Sequence, residues 1–276
     1  MKLLGICLGA LLFAFMAWAT MWFWGQGLTY KPYDHPLMSW TQTDGKSLKA
    51  LSTDNFDEAS AFLQKNPDGI LYLNIRVSGN GQLFTATPQE LEFISKLSSA
   101  NTTVYKGNKN FYYSYDFLKS QAPGIKTVDE WLTLKPRFWI LNIVDNAIDI
   151  DRYITEWVEK VKIENQIVIT SEADIVISSL KELHPLWVYG TSLSDLTKVL
   201  TMASINLEGL VNFRRDYFIT PVILKKREVL NPKVILEMRK RYKKVAIGPV
   251  HTDQDLEKAL ELKPDILILG SSTLDK

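Results

Sequence analysis

Residues 139–144 read WILNIV, and four similar runs occur further along the chain: IVIT (167–170), LWVY (186–189), VAIGPV (245–250) and ILILG (266–270). Nearly every residue in these runs is apolar. Such continuous apolarity is typical of strands that are covered on both faces, and therefore of a parallel sheet. The segments between the runs have the spacing of amphipathic helices. The pattern indicates an α/β protein in which strands and helices alternate.

Working outward from these runs, we predict eight strands. They are Leu37–Trp40, Ile70–Val77, Phe138–Val144, Gln166–Thr170, Leu186–Tyr189, Leu207–Val211, Val245–Val250 and Asp265–Leu269. The intervening helices are Asn55–Lys65, Pro88–Ser98, Val128–Leu134, Ile150–Val161, Asp174–Leu183, Leu193–Met202, Pro232–Tyr242 and Asp253–Leu262. Eight alternating units predict a (β/α)8 TIM barrel over residues 37–276. A doubly wound open sheet is the alternative, but no G-x-G-x-x-G turn follows any of these strands.

Two features interrupt the alternation. Asn80-Gly81 is a good hairpin turn, and the residues after it, Gln82–Ala86, predict an additional short strand. Residues 101–126 form a long irregular stretch, and loops of this length in a compact domain are usually functional or mobile.

The amino terminus has the composition of a membrane segment. Leu3–Trp24 is 22 residues without a charge, about 33 Å long as a helix, and ends in aromatic side chains. We therefore predict one transmembrane helix, a signal anchor over residues 1–24, followed by a linker over 25–36. Lys2 before it favours an inner-membrane, single-pass protein with the barrel on the periplasmic side. The alternative is a secreted form, cleaved near Ala17-Trp18-Ala19.

Composition excludes several classes of protein. Among 276 residues, 32 Lys and Arg balance 31 Asp and Glu, which argues against a nucleic-acid partner. The single cysteine, Cys7, excludes an internal disulfide and a cysteine-rich metal site.

Three stretches resemble the glycerophosphodiester phosphodiesterase family, which belongs to the phospholipase C-like phosphodiesterase superfamily. They are Gly69–Ala86 (GILYLNIRVSGNGQLFTA), Gly124–Val144 (GIKTVDEWLTLKPRFWILNIV) and Asn231–Gly270. The resemblance implies a TIM barrel and hydrolysis of phosphoric diesters with a divalent cation.

The catalytic motifs of that family are missing here. The family has His-Arg after its first strand, a metal-binding Glu-x-Asp pair on its second, a further histidine after the hairpin, and Glu-x-Lys after Leu-Asn-Ile. The corresponding residues of this chain are Trp40, Thr41, Tyr72, Asn74, Thr87, Val144 and Asn146. None of them replaces the carboxylates or imidazoles that metal binding and proton transfer need. We therefore predict a degenerate member with no metal, no cofactor and no catalytic residues, a membrane-anchored pseudoenzyme in lipid metabolism.

Other residues are candidates for binding. Arg76 is placed to hold an anion near the barrel mouth or to pair with a neighbouring acid. Asp145 follows the position of the family's glutamate, and His251 follows a strand on the catalytic side of a TIM barrel. Residues 213–244 are rich in Lys and Arg. Within them we predict a membrane-surface patch of Arg214, Arg215, Lys225, Lys226 and Arg227, with a solvated helix face as the alternative.

The sequence thus predicts a non-catalytic binding protein whose partner is the membrane, a phospholipid headgroup or an envelope protein. The alternative is an active phosphoric diester hydrolase that uses Arg76, Asp145 and His251 with Mg²⁺ or Ca²⁺.

Overall fold

The computed structural model describes residues 2–26, 28–40, 46–99, 113–224 and 227–273. Within them, eight parallel strands follow one another around a barrel. These strands are β1 (Leu48–Ser52), β2 (Ile70–Val77), β5 (Trp139–Ile143), β6 (Ile167–Ser171), β7 (Val188–Tyr189), β8 (Tyr217–Thr220), β11 (Lys244–Val250) and β12 (Ile266–Gly270). Their order is β7-β6-β5-β2-β1-β12-β11-β8, with parallel pairing throughout. The α/β TIM-barrel prediction is confirmed.

The remaining elements lie around this barrel. The short strands are β3 (Leu83–Thr85), β4 (Lys126–Thr127), β9 (Ile223–Leu224) and β10 (Arg227–Glu228). The helices are α1 (Lys2–Gln26), α2 (Pro36–Ser39), α3 (Phe56–Lys65), α4 (Pro88–Ser99), α5 (Tyr115–Gln121), α6 (Val128–Trp131), α7 (Ile150–Val161), α8 (Asp174–Leu183), α9 (Leu193–Ser204), α10 (Pro232–Lys240) and α11 (Asp253–Glu261). The predicted helix positions therefore agree closely with the structure, and the predicted hairpin strand is β3.

One backbone hydrogen bond and several side-chain hydrogen bonds, rather than a strand ladder, join β7 to the chain around β8. The backbone nitrogen of Asp216 donates to the carbonyl of Tyr189 at 2.9 Å, and the Asp216 carboxylate accepts from the nitrogen of Tyr189 at 3.1 Å. The hydroxyl of Thr191 accepts from the nitrogen of Ile219 at 2.7 Å. These bonds satisfy backbone groups that would otherwise be unpaired between two short strands.

Two of the eight predicted strands are wrong. Leu37–Trp40 is largely the short helix α2, because Pro36 suits a first helical position and the His35 side chain caps the nitrogen of Leu37 at 3.1 Å. Leu207–Val211 contains a 3-10 turn, Glu208–Leu210. The first and sixth strands of the barrel are instead β1 and β8, which follow these two segments in the sequence. The strand β1 was not predicted because Lys49 and Ser52 interrupt its three apolar residues. The strand β8 was not predicted because it is short and directly follows Arg-Arg-Asp.

The helix α2 closes the barrel at the amino-terminal ends of its strands. Leu37 is buried among side chains that fill the barrel, and its carbonyl accepts from the hydroxyl of Tyr217 at 2.6 Å. The Tyr217 hydroxyl accepts in turn from the indole nitrogen of Trp40 at 3.1 Å. Access to the barrel interior is therefore from the opposite end, where the strands finish.

The amino-terminal helix α1 contacts the barrel near its closed end. The indole nitrogen of Trp18 donates to the carbonyl of Ile205 at 2.9 Å. A Cβ atom on Gly209 would lie 3.1 Å from the carbonyl oxygen of Gly25, so the two backbones touch. No helix within the described ranges is long and apolar enough to cross a membrane. The transmembrane helix predicted near the amino terminus is thus not found among the described helices.

Candidate functional site

The open end of the barrel carries a chain of hydrogen bonds across three neighbouring strands. Asp54 follows β1, Asn74 lies in β2 and Asn142 lies in β5. The side-chain nitrogen of Asn74 donates to the Asp54 carboxylate at 3.2 Å, and the side-chain nitrogen of Asn142 donates to Asn74 Oδ1 at 2.9 Å. These residues share the interior face because side chains alternate along strands and the strands are parallel and in register.

Asp54 is a site residue that the sequence analysis missed. Burial raises the pKa of its carboxyl to about 6, although hydrogen bonds from Asn74 and the charge of Arg76 oppose the shift. A strongly perturbed carboxyl at a barrel mouth is typical of functional sites. An acid two residues after a strand would be the signal for it, but the sequence pattern does not predict the strand β1 that precedes Asp54.

A cavity of about 160 Å³ lies beside this chain of hydrogen bonds. Half of its lining residues are polar and half are aliphatic, glycine or proline: Tyr72, Asn142, Thr170, Ser171, Glu172, Thr191, Ser192, Leu193, Leu196, Ile219, Pro221, Leu224, Gly248 and Pro249. No lysine or arginine lines it in the part of the chain that the structure describes. Because Glu172 is the charged side chain in this described lining, the cavity has an acidic rather than a basic character.

Several of the hydroxyls around the cavity serve the fold. Thr170 donates to the carbonyl of Thr191 at 2.8 Å, and Ser171 donates to the carbonyl of Ile143 at 2.7 Å. Glu172, by contrast, is an exposed carboxylate directly after β6. Burial, together with the negative charges of Glu172 and Asp54, raises the pKa of the Tyr72 hydroxyl, which therefore stays protonated.

The residues at the mouth do not fit a divalent cation. No group of three or more His, Cys, Asp or Glu side chains able to hold a metal occurs among the described residues. Tyr72 and Asn74 stand at the two positions expected for metal carboxylates, and Val144 stands at a third, 39% exposed. Mg²⁺ and Ca²⁺ prefer several carboxylate oxygens, which this arrangement lacks. We derive no chemical step through such an ion.

One of the family positions was assigned to the wrong end of the barrel. Trp40 lies beside α2 at the closed end, and Thr41 is outside the described residues. The end of the first strand is instead Ser52-Thr53-Asp54, which also contains neither histidine nor arginine. The backbone nitrogen and the hydroxyl of Thr87 both donate to Glu90, at 2.7 and 2.9 Å, and so begin α4. Asn146 is exposed after β5.

Arg76 and Asp145 bind one another. The Arg76 guanidinium lies 3.1 Å from the fully buried Asp145 carboxylate, which also accepts from the nitrogen of Val77 at 3.0 Å. The alternative interpretation of Arg76, a pairing with a neighbouring acid, is thus what the structure shows. A ligand-binding role for Arg76 and Asp145 stays a prediction.

The third ligand-binding candidate, His251, is exposed directly after β11. Its ring packs so closely over Gly270 that a Cβ atom there would lie 2.3 Å from Nδ1. His251, Arg76 and Asp145 are all absent from the described lining of the mouth cavity.

The predicted membrane-surface patch does not form a single surface. Arg215 is buried, with its guanidinium 2.6 Å from Asp195 and 2.5 Å from Asp174. Arg214 is exposed at the closed end, whereas Arg227 belongs to the hairpin at the open end. Lys225 and Lys226 lie outside the described residues. The prediction failed because β8 runs through the basic stretch and sends its two halves to opposite ends of the barrel.

The comparisons agree with this architecture. No family model matches the chain, and no curated protein matches it. Among solved structures, the chain is similar to a glycerophosphoryl diester phosphodiesterase domain from Mycobacterium tuberculosis, at 12% identity, covering 83% of this chain and 97% of that one, with a TM-score of 0.59.

Two further structures are equally informative. A glycerophosphodiester phosphodiesterase from Agrobacterium tumefaciens is 12% identical, with 82% and 96% of the chains covered and a TM-score of 0.57. One from Parabacteroides distasonis is 14% identical, with 90% and 91% covered and a TM-score of 0.55. The chain therefore has the glycerophosphodiester phosphodiesterase fold, and the resemblance predicted from the sequence is confirmed at that level.

Proposed function

We propose that this chain is a degenerate glycerophosphodiester phosphodiesterase-like barrel that binds a small ligand at its mouth without cleaving it. The observation that carries the proposal is the chain of hydrogen bonds from Asp54 through Asn74 to Asn142. It occupies the place where the family resemblance calls for a carboxylate cage. Asn74 directs its amide at the only carboxylate of this chain of bonds, so that carboxylate is engaged by the protein itself.

The loss of catalysis follows from the chemistry of the reaction. Cleavage of a phosphodiester requires stabilisation of charge on the phosphoryl oxygens and proton transfer at the reacting oxygens. A positioned acid or base contributes about 10² to 10⁴ in rate, and the metal adds more. Tyr72 and Val144 supply neither, so we expect no significant turnover.

The composition of the mouth indicates the class of ligand. Glu172 is an exposed carboxylate in the cavity lining, and Tyr72 lines the same cavity with an aromatic ring, whose π face would attract a cation. A ligand with an ammonium group and hydroxyls suits these groups, whereas a phosphate monoester would meet negative charge. A zwitterionic phospholipid headgroup meets the requirement.

Membrane attachment is the second part of the proposal, and α1 supports it. Its large apolar side chains are exposed: Leu11 69%, Leu12 60%, Phe13 73%, Phe15 64%, Phe23 77% and Trp24 74%. Exposed apolar surface of this extent marks a site of interaction with lipid or protein. We propose that α1 places these side chains in lipid, with the barrel on the periplasmic side of the inner membrane.

The test uses the full chain in detergent micelles. We expect no hydrolysis of glycerophosphocholine above the blank with Mg²⁺ or Ca²⁺, and turnover that depends on the metal would overturn the proposal. Calorimetric titration should show glycerophosphocholine binding, and Glu172→Gln should weaken it about tenfold. Glu159→Gln, on the exposed face of α7, is the matched control and should leave binding unchanged. If wild type does not bind glycerophosphocholine, the ligand class is wrong.

A further inference from the structure

The end of the barrel from which α1 departs has features that the proposed mouth site does not use. The contacts of Trp18 with Ile205 and of Gly25 with Gly209 fix α1 at the amino-terminal ends of the strands. The cation of Arg241 supports this junction: its guanidinium donates to the carbonyls of Glu208 and Gly209, both at 2.9 Å. Lipid that surrounds α1 would therefore lie at the closed end, away from the mouth.

The surface at this end combines apolar and basic side chains. Leu183, Leu186 and Ile205 are 58%, 73% and 48% exposed. Four exposed basic residues lie around them, against the exposed acids Glu182 and Glu261; they are Arg214, Arg239, Lys240 and Lys263. Exposed aliphatic side chains beside lysines and arginines are typical of surfaces that rest on anionic lipid.

A groove of about 870 Å³ runs between α8 and α9 and reaches this end at residues 211–215. Lys181, Lys198 and Arg214 line it. Three acids line it as well: Asp174 and Asp195 both bind the buried guanidinium of Arg215, and Glu182 is exposed. Lys181 contacts Asp216 at 3.6 Å. The lining therefore contains four cations against three acids, and its exposed cations are Lys198 and Arg214.

We propose that the groove between α8 and α9 binds the headgroups of anionic phospholipids in the bilayer that faces the closed end of the barrel. This inference rests on the membrane attachment in the proposed function. A phosphate of the headgroup accepts from Arg214 and Lys198, and the aliphatic side chains of Leu186 and Ile205 contact the acyl boundary. The mouth is consequently directed away from the membrane, toward soluble ligands.

The first experiment tests orientation in the full chain. The variant Cys7→Ser removes the only cysteine, and a fluorophore is placed on Leu186→Cys at the closed end or on Ile223→Cys, 53% exposed at the mouth. In phosphatidylglycerol vesicles that contain a lipid-borne quencher, we expect at least about twofold stronger quenching at position 186. Equal or reversed quenching in chains that float with vesicles overturns this inference alone. Failure to float overturns membrane attachment as well.

The second experiment tests the groove. In neutral detergent, titration with dihexanoyl phosphatidylglycerol should show saturable binding that Arg214→Gln weakens about fivefold, as expected for about 1 kcal/mol per cation. Arg152→Gln removes the same charge from the exposed face of α7 and should change nothing. Binding of inorganic phosphate with equal affinity would assign the groove to free phosphate and overturn the lipid proposal, and so would equal weakening in both variants.

Discussion

The side-chain nitrogen of Asn142 lies 2.9 Å from the side-chain oxygen of Asn74, so two amides on neighbouring strands pair at the mouth of the barrel. The side-chain nitrogen of Asn74 in turn donates to the Asp54 carboxylate at 3.2 Å. Each amide is oriented by its neighbour, and the carboxylate is the final acceptor. Polar groups that satisfy one another in this way stabilise the mouth and present little charge to a ligand.

Asp54 should make the stability of the protein depend on pH. Its pKa is about 6 in the folded state, above the ordinary value of 3.8, so the folded state binds the proton more tightly than the unfolded chain. The contribution of Asp54 to the free energy of unfolding should therefore fall as pH rises from about 4 through about 6, and then stay constant.

The variant Asp54→Asn keeps an acceptor oxygen but removes this titration. At pH 8 we expect it to be more stable than wild type by at most about 3 kcal/mol, and at pH 4 the two should differ little. Urea unfolding at both pH values measures the difference. A variant that is less stable at pH 8 would show that the Asp54 carboxylate is favourable in the folded state.

The ion pair of Arg76 with Asp145 should contribute strongly to folding. Removal of the cation by Arg76→Gln leaves a buried carboxylate with less compensation, and such changes cost about 3 to 5 kcal/mol. The control Arg152→Gln breaks ion pairs between exposed side chains and should cost less than about 1 kcal/mol. Equal losses in urea unfolding would contradict the buried character of the first pair.

Gly248 should tolerate no side chain. Its φ is +136°, a conformation that side chains rarely adopt, and a Cβ atom would lie 2.2 Å from the carbonyl oxygen of Ile268. We expect Gly248→Ala to lower the midpoint of urea unfolding markedly, at a cost of several kcal/mol. Gly9→Ala, where a Cβ meets no atom within 4 Å, should not be destabilising.

Gly209 should control the position of α1. A Cβ atom there would approach the carbonyl oxygen of Gly25 at 3.1 Å, and the larger Gly209→Val forces the two backbones apart. We expect faster amide hydrogen exchange at residues 205–210 and altered fluorescence of Trp18, with the barrel still folded. Unchanged exchange and emission would mean that this contact does not hold α1 in place.

Periodicity revealed most of the barrel because burial on two faces imposes a strong local pattern. The helices Ile150–Val161 and Asp174–Leu183 were predicted with the bounds that the structure has. The strand β8 was missed because it is only four residues long and follows three charged residues, and β1 was missed because its pairing partners compensate for a weak local pattern. Leu48–Ser52 is held on both sides, by β2 and β12, although its own residues are not strongly β-forming.

The candidate site was less accessible to prediction because it depends on which strand ends are neighbours. The absence of metal carboxylates at Tyr72, Asn74 and Val144 could be read directly from residue identity. The engagement of Arg76 by Asp145 could not, because the two are far apart in sequence and only the parallel pairing of β2 with β5 places them together. Asp54 could not be predicted as a residue of the mouth because the sequence pattern does not indicate β1.

By itself, then, the amino-acid sequence determined that this is an alternating α/β chain with an apolar amino terminus and a resemblance to the glycerophosphodiester phosphodiesterase family, because residue type and local spacing are enough for those conclusions. Only the tertiary structure decided which charges neutralise one another, that Asp54 joins the mouth, and that the basic stretch divides between the two ends of the barrel. Those properties depend on contacts between distant segments, and such contacts exist only once the strands have paired in register.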